Sequence, residues 1–351
     1  ARVTDTPVIF IVNTKGMSVS IVPYIKGFLE YKKDSRIKGV IFNLMSPMLY
    51  DRVKKMTEEE LPVKVLGYVP KLDFQLESRH LGLVLPEEIP SLRENLHKTA
   101  EILQKTLDIP GILSLAENAP PVEEVTKEQL ASLDAPFSYK SGRPLRIGLA
   151  KDEAFCFFYE DNFRLLREMG AELVPFSLIH DRELPERLDG LLLMGGYPEL
   201  YAKELQENRS MRESVRKALS EGLPCIAECG GFMYLHDLIE GMDGRNYEGV
   251  GTIKGRTYRT DKLQRFGYIY LSCVEGSGLF GYPVKQEMTA HEFHYFDSEN
   301  CGDAFHARKT QSKRGWDCIH SSRTLFAGFP HLYFYGNPEM AALFLKRCEE
   351  R

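Results

Sequence analysis

The residues best suited to chemistry in this sequence surround Cys229. A short apolar run ends at this cysteine, two glycines follow at once, and an amphipathic segment then begins. Such an order is typical of a nucleophile elbow, a strained strand-to-helix turn that presents a reactive side chain above a sheet. The turn requires small neighbours, which Ala227, Gly230 and Gly231 supply, and the start of a helix favours a thiolate. The competing interpretation is a buried structural cysteine beside a tight turn.

A cysteine nucleophile also needs a base and hydrogen-bond donors for an oxyanion. An elbow supplies the N–H of Gly230, and the glycine pair at 195–196, which ends a buried apolar run, offers a second donor by close backbone approach. These glycines would serve equally well in a plain turn. The base should be a histidine that is distant in the sequence. His291, His294 and His331 all lie in strand-like segments, and spacing alone leaves the choice among them open.

The elements that must position these residues alternate along the chain. Continuous apolar runs, typical of parallel strands covered on both faces, are separated by segments of helical spacing, which predicts an α/β fold with mainly parallel sheets. The segment after residue 252 is β-rich, and the segment 118–144 has the composition of a linker, with a short helix at 126–133. His236 is expected on the helix after the elbow, turned away from the reactive face. We predict strands at 8–12, 39–43, 64–70, 145–150, 172–176 and 190–194, and helices at 18–33, 92–107, 162–169, 211–221 and 339–348.

The composition narrows the class of protein. The chain has 351 residues, 43% of them hydrophobic, which suffices for two domains that each have a core. A net charge of −5 gives no support for a nucleic-acid partner, and no apolar run is long enough to cross a membrane. The seven cysteines are odd in number and irregular in spacing, which excludes a disulfide framework and a zinc-finger pattern. We expect a reducing, cytoplasmic location.

Several motifs around the cysteine carry a resemblance to a known family. From about residue 145 to the end, five motifs follow one another in the order of the class I glutamine amidotransferases of the cobyrinic acid a,c-diamide synthase family, which this sequence resembles. Three segments of the first domain are similar to the later half of that family's ATP-binding domain, which itself resembles dethiobiotin synthetase. The motifs are GGYPEL (195–200), AECGGFMYL (227–235), LQRFGY (263–268), HEFHY (291–295) and HLYF with NPE (331–339), and, in the first domain, VNTKGMS (12–18), GVIFN (39–43) and SRHLGL (78–83).

The resemblance implies a fold, a reaction and a set of site residues. The fold is a partial synthetase domain of the P-loop, dethiobiotin-synthetase type at 1–117, a linker at 118–144 and a flavodoxin-like amidotransferase domain at 145–351. In the implied reaction, Cys229 attacks the side-chain amide of glutamine, His331 relays protons, and the N–H groups of Gly230 and Gly196 hold the oxyanion. The ammonia then amidates carboxylates a and c of a corrin precursor, activated by ATP with Mg²⁺. The implied glutamine or substrate pocket consists of Tyr197, Arg265, Glu292 and His294.

Two positions depart from the family pattern. Many class I amidotransferases have a carboxylate two residues after the histidine, where this chain has Tyr333, and the difference indicates a Cys–His dyad. Family members commonly have a second histidine at that same position, and an aspartate in place of Asn13. These departures concern the handling of the substrate and leave the glutaminase step intact.

The nucleotide site that the resemblance implies is incomplete in this sequence. No G-x-x-x-x-G-K-[ST] phosphate loop is present, and the family's magnesium-binding carboxylates belong to the preceding half of the domain. We therefore expect a chain that begins part-way through the synthetase domain, holds no metal and performs only the glutaminase half of the reaction; a natural variant without the loop is the alternative. Asn43 is a candidate for recognising adenine, and the alternative is an ordinary residue at the end of a strand. Arg79 is a candidate for contacting an anionic substrate or a phosphate, and the alternative is a solvated loop residue.

Other functions stay open at this point. A synthase of the same family acting on nickel sirohydrochlorin fits the same motifs. A binding module with a dead glutaminase fold predicts the loss of Cys229 or His331, and both are present. A cysteine hydrolase with the same elbow is disfavoured by the motifs at 263–268 and 291–295. The expected partners are glutamine, a tetrapyrrole of the cobyrinic acid type and ATP, with a homodimer as a further expectation and no role for nucleic acid or a membrane.

Overall fold

The structure, a computed structural model, describes residues 1–32, 34–74, 91–121, 126, 139–284 and 286–351. The chain divides into two compact units, Ala1–Thr126 and Lys127–Arg351. Strands alternate with helices in both, and the sheets that carry the alternation are parallel, which confirms the predicted α/β class. Most of the segment 118–144, with its predicted helix, falls outside the described residues, so the linker stays a prediction.

The first unit is built on a small parallel sheet. Its elements are β1 (Val8–Asn13), α1 (Ile21–Tyr31), β2 (Ile37–Asn43), α2 (Pro47–Glu60), β3 (Lys64–Val69), α3 (Leu92–Thr106) and α4 (Ile109–Glu117). The strand order is β1–β2–β3, with β2 in the middle. Helix α1 buries Ile21, Val22 and Ile25, which share one face because the helix repeats every 3.6 residues. The apolar runs read from the sequence therefore correspond to the strands of this sheet.

The second unit contains most of the strands and the candidate site. Its strands are β4 (Leu145–Ala150), β5 (Ala171–Phe176), β6 (Gly190–Leu193), β7 (Cys225–Glu228), β8 (His236–Glu240), β9 (Asn246–Glu248), β10 (Ile253–Arg259), β11 (Arg265–Cys273), β12 (Met288–His294), β13 (Phe296–Ser298), β14 (Phe305–Lys309), β15 (Gly315–Cys318), β16 (His320–Ser321), β17 (Leu325–Gly328) and β18 (His331–Leu332). Its helices are α5 (Glu160–Glu168), α6 (Ala202–Glu207), α7 (Arg209–Ser220), α8 (Gly230–Tyr234) and α9 (Pro338–Glu349), with 3₁₀ turns at Pro198–Leu200 and Phe334–Gly336.

A six-stranded sheet of order β16–β17–β7–β6–β4–β5 forms the centre of this unit, and only β16 runs antiparallel to its neighbour. Alternate residues of its strands face two separate apolar cores, as the two-residue repeat of a strand requires. Leu192 and Ile226 belong to the core beneath α9. Leu193 and Ala227 belong to the core that also includes Cys229. Cys229 thus lies at the carboxyl end of β7, a central strand of a sheet that is covered on both faces.

A five-stranded antiparallel sheet of order β15–β14–β11–β12–β18 packs against this central sheet. Its inward residues, such as Leu271, Ala290 and Leu332, share a core with Leu192 and Ile226. A further four-stranded sheet has the order β13–β10–β8–β9. Its strands β10 and β13 belong to the β-rich part that was predicted after residue 252, whereas β8 and β9 precede it. The antiparallel sheet matters for the site because it brings β12 beside β18, and both strands carry histidines.

The structure corrects the expected position of His236. Helix α8 has only five residues, and His236 begins strand β8 instead of extending the helix. Its buried ring bonds the carbonyl oxygen of Phe232 at 2.9 Å and the hydroxyl of Ser298 at 2.7 Å, so it has a structural role. In the described ranges, no helix has both the length and the apolar character that a membrane crossing would require.

Candidate active site

Cys229 occupies a strained turn between β7 and α8. Its backbone has φ 47° and ψ −103°, a conformation that residues other than glycine seldom adopt. The N–H of Cys229 donates to the carbonyl oxygen of Gly328 at 2.8 Å, and its own carbonyl accepts from the N–H of Met233 at 2.9 Å. These two bonds hold the strained residue at the end of β7 with its side chain beside the rest of the site. The arrangement is the strand, sharp turn and helix that the sequence predicted.

The glycines around the cysteine are required by close backbone approach. A Cβ atom at Gly231 would lie 1.9 Å from the carbonyl oxygen of Leu193, and one at Gly196 would lie 2.0 Å from that of Ala154. A Cβ at Gly230 would lie 2.9 Å from the backbone nitrogen of Gly196. The loop after β6 and the start of α8 therefore meet at the cysteine. The N–H of Gly230, at the first position of a helix, has no carbonyl partner within that helix.

His331 is the histidine that contacts the cysteine. Its buried imidazole interacts with the neighbouring thiol of Cys229 and lies edge-on to the ring of Phe157, with centroids 5.3 Å apart. In the sheet, His331 lies directly opposite His291. Burial lowers the pKa of His331, but the negative charges of Cys229 and Glu228 outweigh that effect and raise the pKa to about 10. The site therefore favours an imidazolium beside the sulfur.

The other two candidate histidines have different surroundings. His291 is half-buried between the rings of Phe266 and Tyr268, and its pKa is lowered by burial and by the neighbouring His331. His294 stacks on Phe329 with ring centroids 3.9 Å apart. Its Nδ1–H donates to the carbonyl oxygen of Phe296 at 2.5 Å, and burial lowers its pKa to about 4. In both rings the surroundings favour the neutral form.

The sequence reasoning did not identify Glu228 as part of the site. This side chain is buried, and its Oε2 lies 3.6 Å from Nδ1 of His331. Its Oε1 accepts a hydrogen bond of 3.3 Å from the N–H of Leu332. Burial raises the pKa of Glu228, and the charge of His331 opposes the rise. The sequence feature that could have identified Glu228 is its position as the single charged residue at the end of the otherwise apolar strand β7. A charged residue is rarely buried without a partner, so this position indicates a paired carboxylate.

Two buried asparagines that the sequence reasoning also missed fix the segment after His331. The side-chain amide of Asn162, on α5, donates to the carbonyl oxygen of Leu332 and accepts from the N–H of Phe334, both at 2.8 Å. Asn337 makes the same pair of bonds, also at 2.8 Å, with the backbone N–H and carbonyl of Thr289. An amide can replace a missing backbone partner in this way because it has one donor side and one acceptor side.

Tyr333, two residues after the histidine, is turned away from it. The side chain is 41% exposed, and its hydroxyl donates to Asp161 at 3.1 Å. Its ring approaches that of Tyr159 at 5.7 Å. The side chain at position 333 is therefore engaged away from the imidazole, and a carboxylate 3.6 Å from Nδ1 of His331 comes from β7 instead, at Glu228.

Three of the four predicted pocket residues, Arg265, Glu292 and His294, form a second polar cluster on the antiparallel sheet. Arg265 lies opposite His294 across β11 and β12, and its guanidinium stacks over the indole of Trp316 at 5.1 Å. Glu292 is fully buried, and within the described part of the chain neither of its carboxylate oxygens makes a hydrogen bond of standard geometry. Its Oε2 lies 4.0 Å from Nε2 of His294. Burial raises the pKa of Glu292 to about 7, although the charge of Arg265 opposes the rise.

The remaining predicted residues lie elsewhere. Tyr197 follows Gly196 directly, and its N–H donates to the carbonyl oxygen of Ala154 at 2.8 Å. Asn43 ends β2 in the first unit, where its side-chain oxygen accepts from the N–H of Leu44 at 3.1 Å. That local bond suits a turn, and an adenine-reading role stays a prediction. Arg79, with its neighbours Ser78 and His80, lies outside the described residues.

Across the described ranges, no group of three or more histidine, cysteine, aspartate or glutamate side chains is arranged to hold a metal. The Mg²⁺ that the resemblance implies for the complete reaction stays a prediction.

Comparison with known proteins places the chain in a family. Residues 146–339 match the CobB/CobQ-like glutamine amidotransferase domain. A cobyrinate a,c-diamide synthase of Caldanaerobacter subterraneus is 34% identical over 352 residues, which cover 99% of this chain and 75% of the relative. One from Listeria innocua is 35% identical over 346 residues, covering 96% of this chain and 74% of the relative. One from Streptococcus sanguinis is 35% identical over 356 residues, which cover 100% of this chain and 76% of the relative.

Among solved structures, a glutamine amidotransferase aligns with 57% of this chain and 98% of its own, at 17% identity and a TM-score of 0.41. The assignment itself depends on the sequence matches, since the relatives exceed 30% identity across nearly the whole chain. The chain belongs to the cobyrinate a,c-diamide synthase family and carries that family's glutamine amidotransferase domain, which makes it a glutamine-hydrolysing amidotransferase ligase.

Proposed function

We propose that this protein hydrolyses glutamine at Cys229 and that the ammonia amidates carboxylates a and c of a corrin precursor of the cobyrinic acid type. The observation that carries the proposal is the contact between the Cys229 thiol and the imidazole of His331 at the strained turn after β7. The relatives are named cobyrinate a,c-diamide synthases, which favours cobyrinate over nickel sirohydrochlorin as the acceptor. ATP would activate the acceptor carboxylate as an acyl phosphate, as the family resemblance implies.

In the glutaminase step, His331 takes the thiol proton, and the sulfur of Cys229 attacks the side-chain carbonyl carbon of glutamine. The backbone N–H groups of Gly230 and Gly196 stabilise the oxyanion of the tetrahedral intermediate. Collapse of this intermediate breaks the C–N bond, and the imidazolium returns the proton to the leaving nitrogen, so that ammonia departs. Water then attacks the thioester, which yields glutamate and regenerates the thiol.

We further propose that Arg265, Glu292 and His294 form the pocket for the amino-acid part of glutamine, while the pocket role of Tyr197 stays a prediction from the sequence. That part carries one carboxylate and one ammonium group, for which a guanidinium and a carboxylate are the matching partners. Glu292 supports this role because it is buried and makes no hydrogen bond of standard geometry among the described residues. Its titration also responds to the charge of His331, which indicates that the two groups are near each other.

The nucleophile can be tested by replacing Cys229 with alanine. We expect glutamine hydrolysis to fall below detection, and diazo-oxo-norleucine, an alkylating glutamine analogue, to label the wild type at Cys229 only. Cys273→Ser is a matched control, because Cys273 is a partly exposed free cysteine that is not in the site. Glutaminase activity retained by the Cys229→Ala protein would overturn the assignment.

The proposed partners are glutamine, the tetrapyrrole and ATP, and a homodimer stays a prediction. All seven cysteines are free thiols, which supports the reducing, cytoplasmic location expected from the sequence.

A further inference from the structure

We infer that Glu228 is a positioning residue that completes the Cys229–His331 pair as a triad, with the carboxylate supplied by the nucleophile's own strand. The inference rests on the proposed glutaminase function. Its basis is the distance of 3.6 Å between Oε2 of Glu228 and Nδ1 of His331, with side-chain exposures of only 2% and 4%. Such a distance is slightly longer than a direct hydrogen bond, and contacts of this kind commonly shorten when substrate binds.

The backbone explains why consecutive residues contact the same imidazole. Strand β7 ends at Glu228, and the sharp turn at Cys229 directs the next side chain differently. Glu228 is the register partner of Gly328 on β17, three residues before His331, so the histidine returns beside the end of β7. The hydrogen bond from the N–H of Leu332 to Oε1 of Glu228 fixes the carboxylate. With Nδ1 turned to Glu228, Nε2 is the nitrogen left for the thiol.

A carboxylate at Nδ1 has a defined chemical effect. It favours the tautomer that carries the proton on Nδ1, keeps Nε2 available as the base, and stabilises the imidazolium that forms when the thiol loses its proton. The position that commonly supplies this anion in class I amidotransferases is occupied by Tyr333, which bonds Asp161 instead. The anion at His331 therefore comes from a different point in the chain.

Several other groups near His331 also influence the charge of its imidazole. Strand β12 contributes three titratable side chains whose charges interact with it, and the uncharged ring of Phe157 lies at an edge-on angle to the imidazole. Glu228 differs from these groups because its Oε2 lies 3.6 Å from Nδ1. Among the described residues, the titratable groups that interact with His331 include Cys229, Glu228, His291, Glu292 and His294.

The test compares Glu228→Gln, which keeps the shape and removes the charge, with Glu228→Asp, which keeps the charge. For Glu228→Gln we expect kcat for glutamine hydrolysis to fall about 10- to 100-fold, with KM changed less than about twofold. The alkaline limb of the kcat/KM profile should move to lower pH, because the imidazolium loses its anion. Glu228→Asp should keep the wild-type position of that limb. Asp161→Asn is the matched control, which should leave both kcat and the limb unchanged.

A purely structural role would lower thermal stability without moving the alkaline limb, and an unmoved limb in a folded Glu228→Gln protein would overturn the inference. A second measurement uses the wild type, so it does not depend on the folding of a variant. ¹⁵N NMR of labelled histidine should show Nδ1 of His331 protonated throughout the active pH range, and a neutral ring protonated only on Nε2 would also overturn it. If Cys229→Ala loses labelling and activity while Glu228→Gln keeps the wild-type kcat and alkaline limb, the triad is rejected and the proposed glutaminase function is retained.

Discussion

Two buried polar clusters lie on either side of strand β12, and they differ in how completely their groups are paired. In the first, Glu228 bonds the backbone and approaches His331, which in turn interacts with Cys229. In the second, Glu292 is equally buried, yet neither of its oxygens makes a hydrogen bond of standard geometry among the described residues, although His294 and Trp316 lie near it. A buried unpaired carboxylate destabilises a fold unless a ligand or a proton satisfies it. The contrast supports the proposed roles, a reactive site for the first cluster and a ligand pocket for the second.

The largest effect should come from removing the base of the first cluster. His331→Ala is expected to lower kcat for glutamine hydrolysis by about 10²- to 10⁴-fold, the usual contribution of a positioned acid–base group. His291→Ala is the matched control, since His291 lies opposite His331 in the sheet but contacts no reacting atom; its kcat should stay within about threefold. Steady-state glutaminase assays distinguish the two. Equal losses in both variants would contradict the choice of His331.

The Glu292→Gln variant tests whether Glu292 lacks a partner in the free protein, through its unfolding free energy and its KM for glutamine. Since burial raises the pKa of Glu292 from 4.5 to about 7, this group stabilises the fold below pH 4.5, and that contribution is lost as pH rises towards 7. Denaturant unfolding should show the variant gaining stability over the wild type across this range, on the order of 3 kcal/mol. The same variant should have a raised KM for glutamine.

Glu287→Gln is the control for that experiment, because Glu287 is partly exposed and paired with Arg308. Its stability relative to the wild type should not change with pH. A pH-independent difference for Glu292→Gln would show that Glu292 is satisfied in the free protein and would remove the contrast between the clusters.

The smallest effect is expected at Tyr333, two residues after His331 in the sequence. Tyr333→Phe removes a partly exposed hydroxyl that donates to Asp161. We expect a change in unfolding free energy within about 0.5 kcal/mol and glutaminase activity within about twofold of the wild type. Thermal melts and the glutaminase assay measure both. A tenfold loss of activity would place Tyr333 in the reactive cluster and weaken the case for Glu228.

Local sequence patterns predicted much of the fold, since the apolar runs became the strands of the parallel sheets and the helical spacings became helices such as α5 and α9. The error at His236 has a local cause. Helix α8 ends after five residues because the chain must enter β8, which pairs with β10 from a later part of the sequence. A short helix followed by a strand is not visible in the spacing of apolar residues when that spacing suits both.

The sequence by itself determined the elbow at Cys229 and the family, because a strained turn needs glycines in a fixed order and the motifs keep their register along the chain. Tertiary structure alone decided which charged group approaches His331 and which carboxylate has no partner. Those pairings join residues about a hundred positions apart, such as Glu228 and Leu332. They depend on the register of β7 with β17 and of β12 with β18, and no local pattern encodes the register between strands that are distant in the sequence.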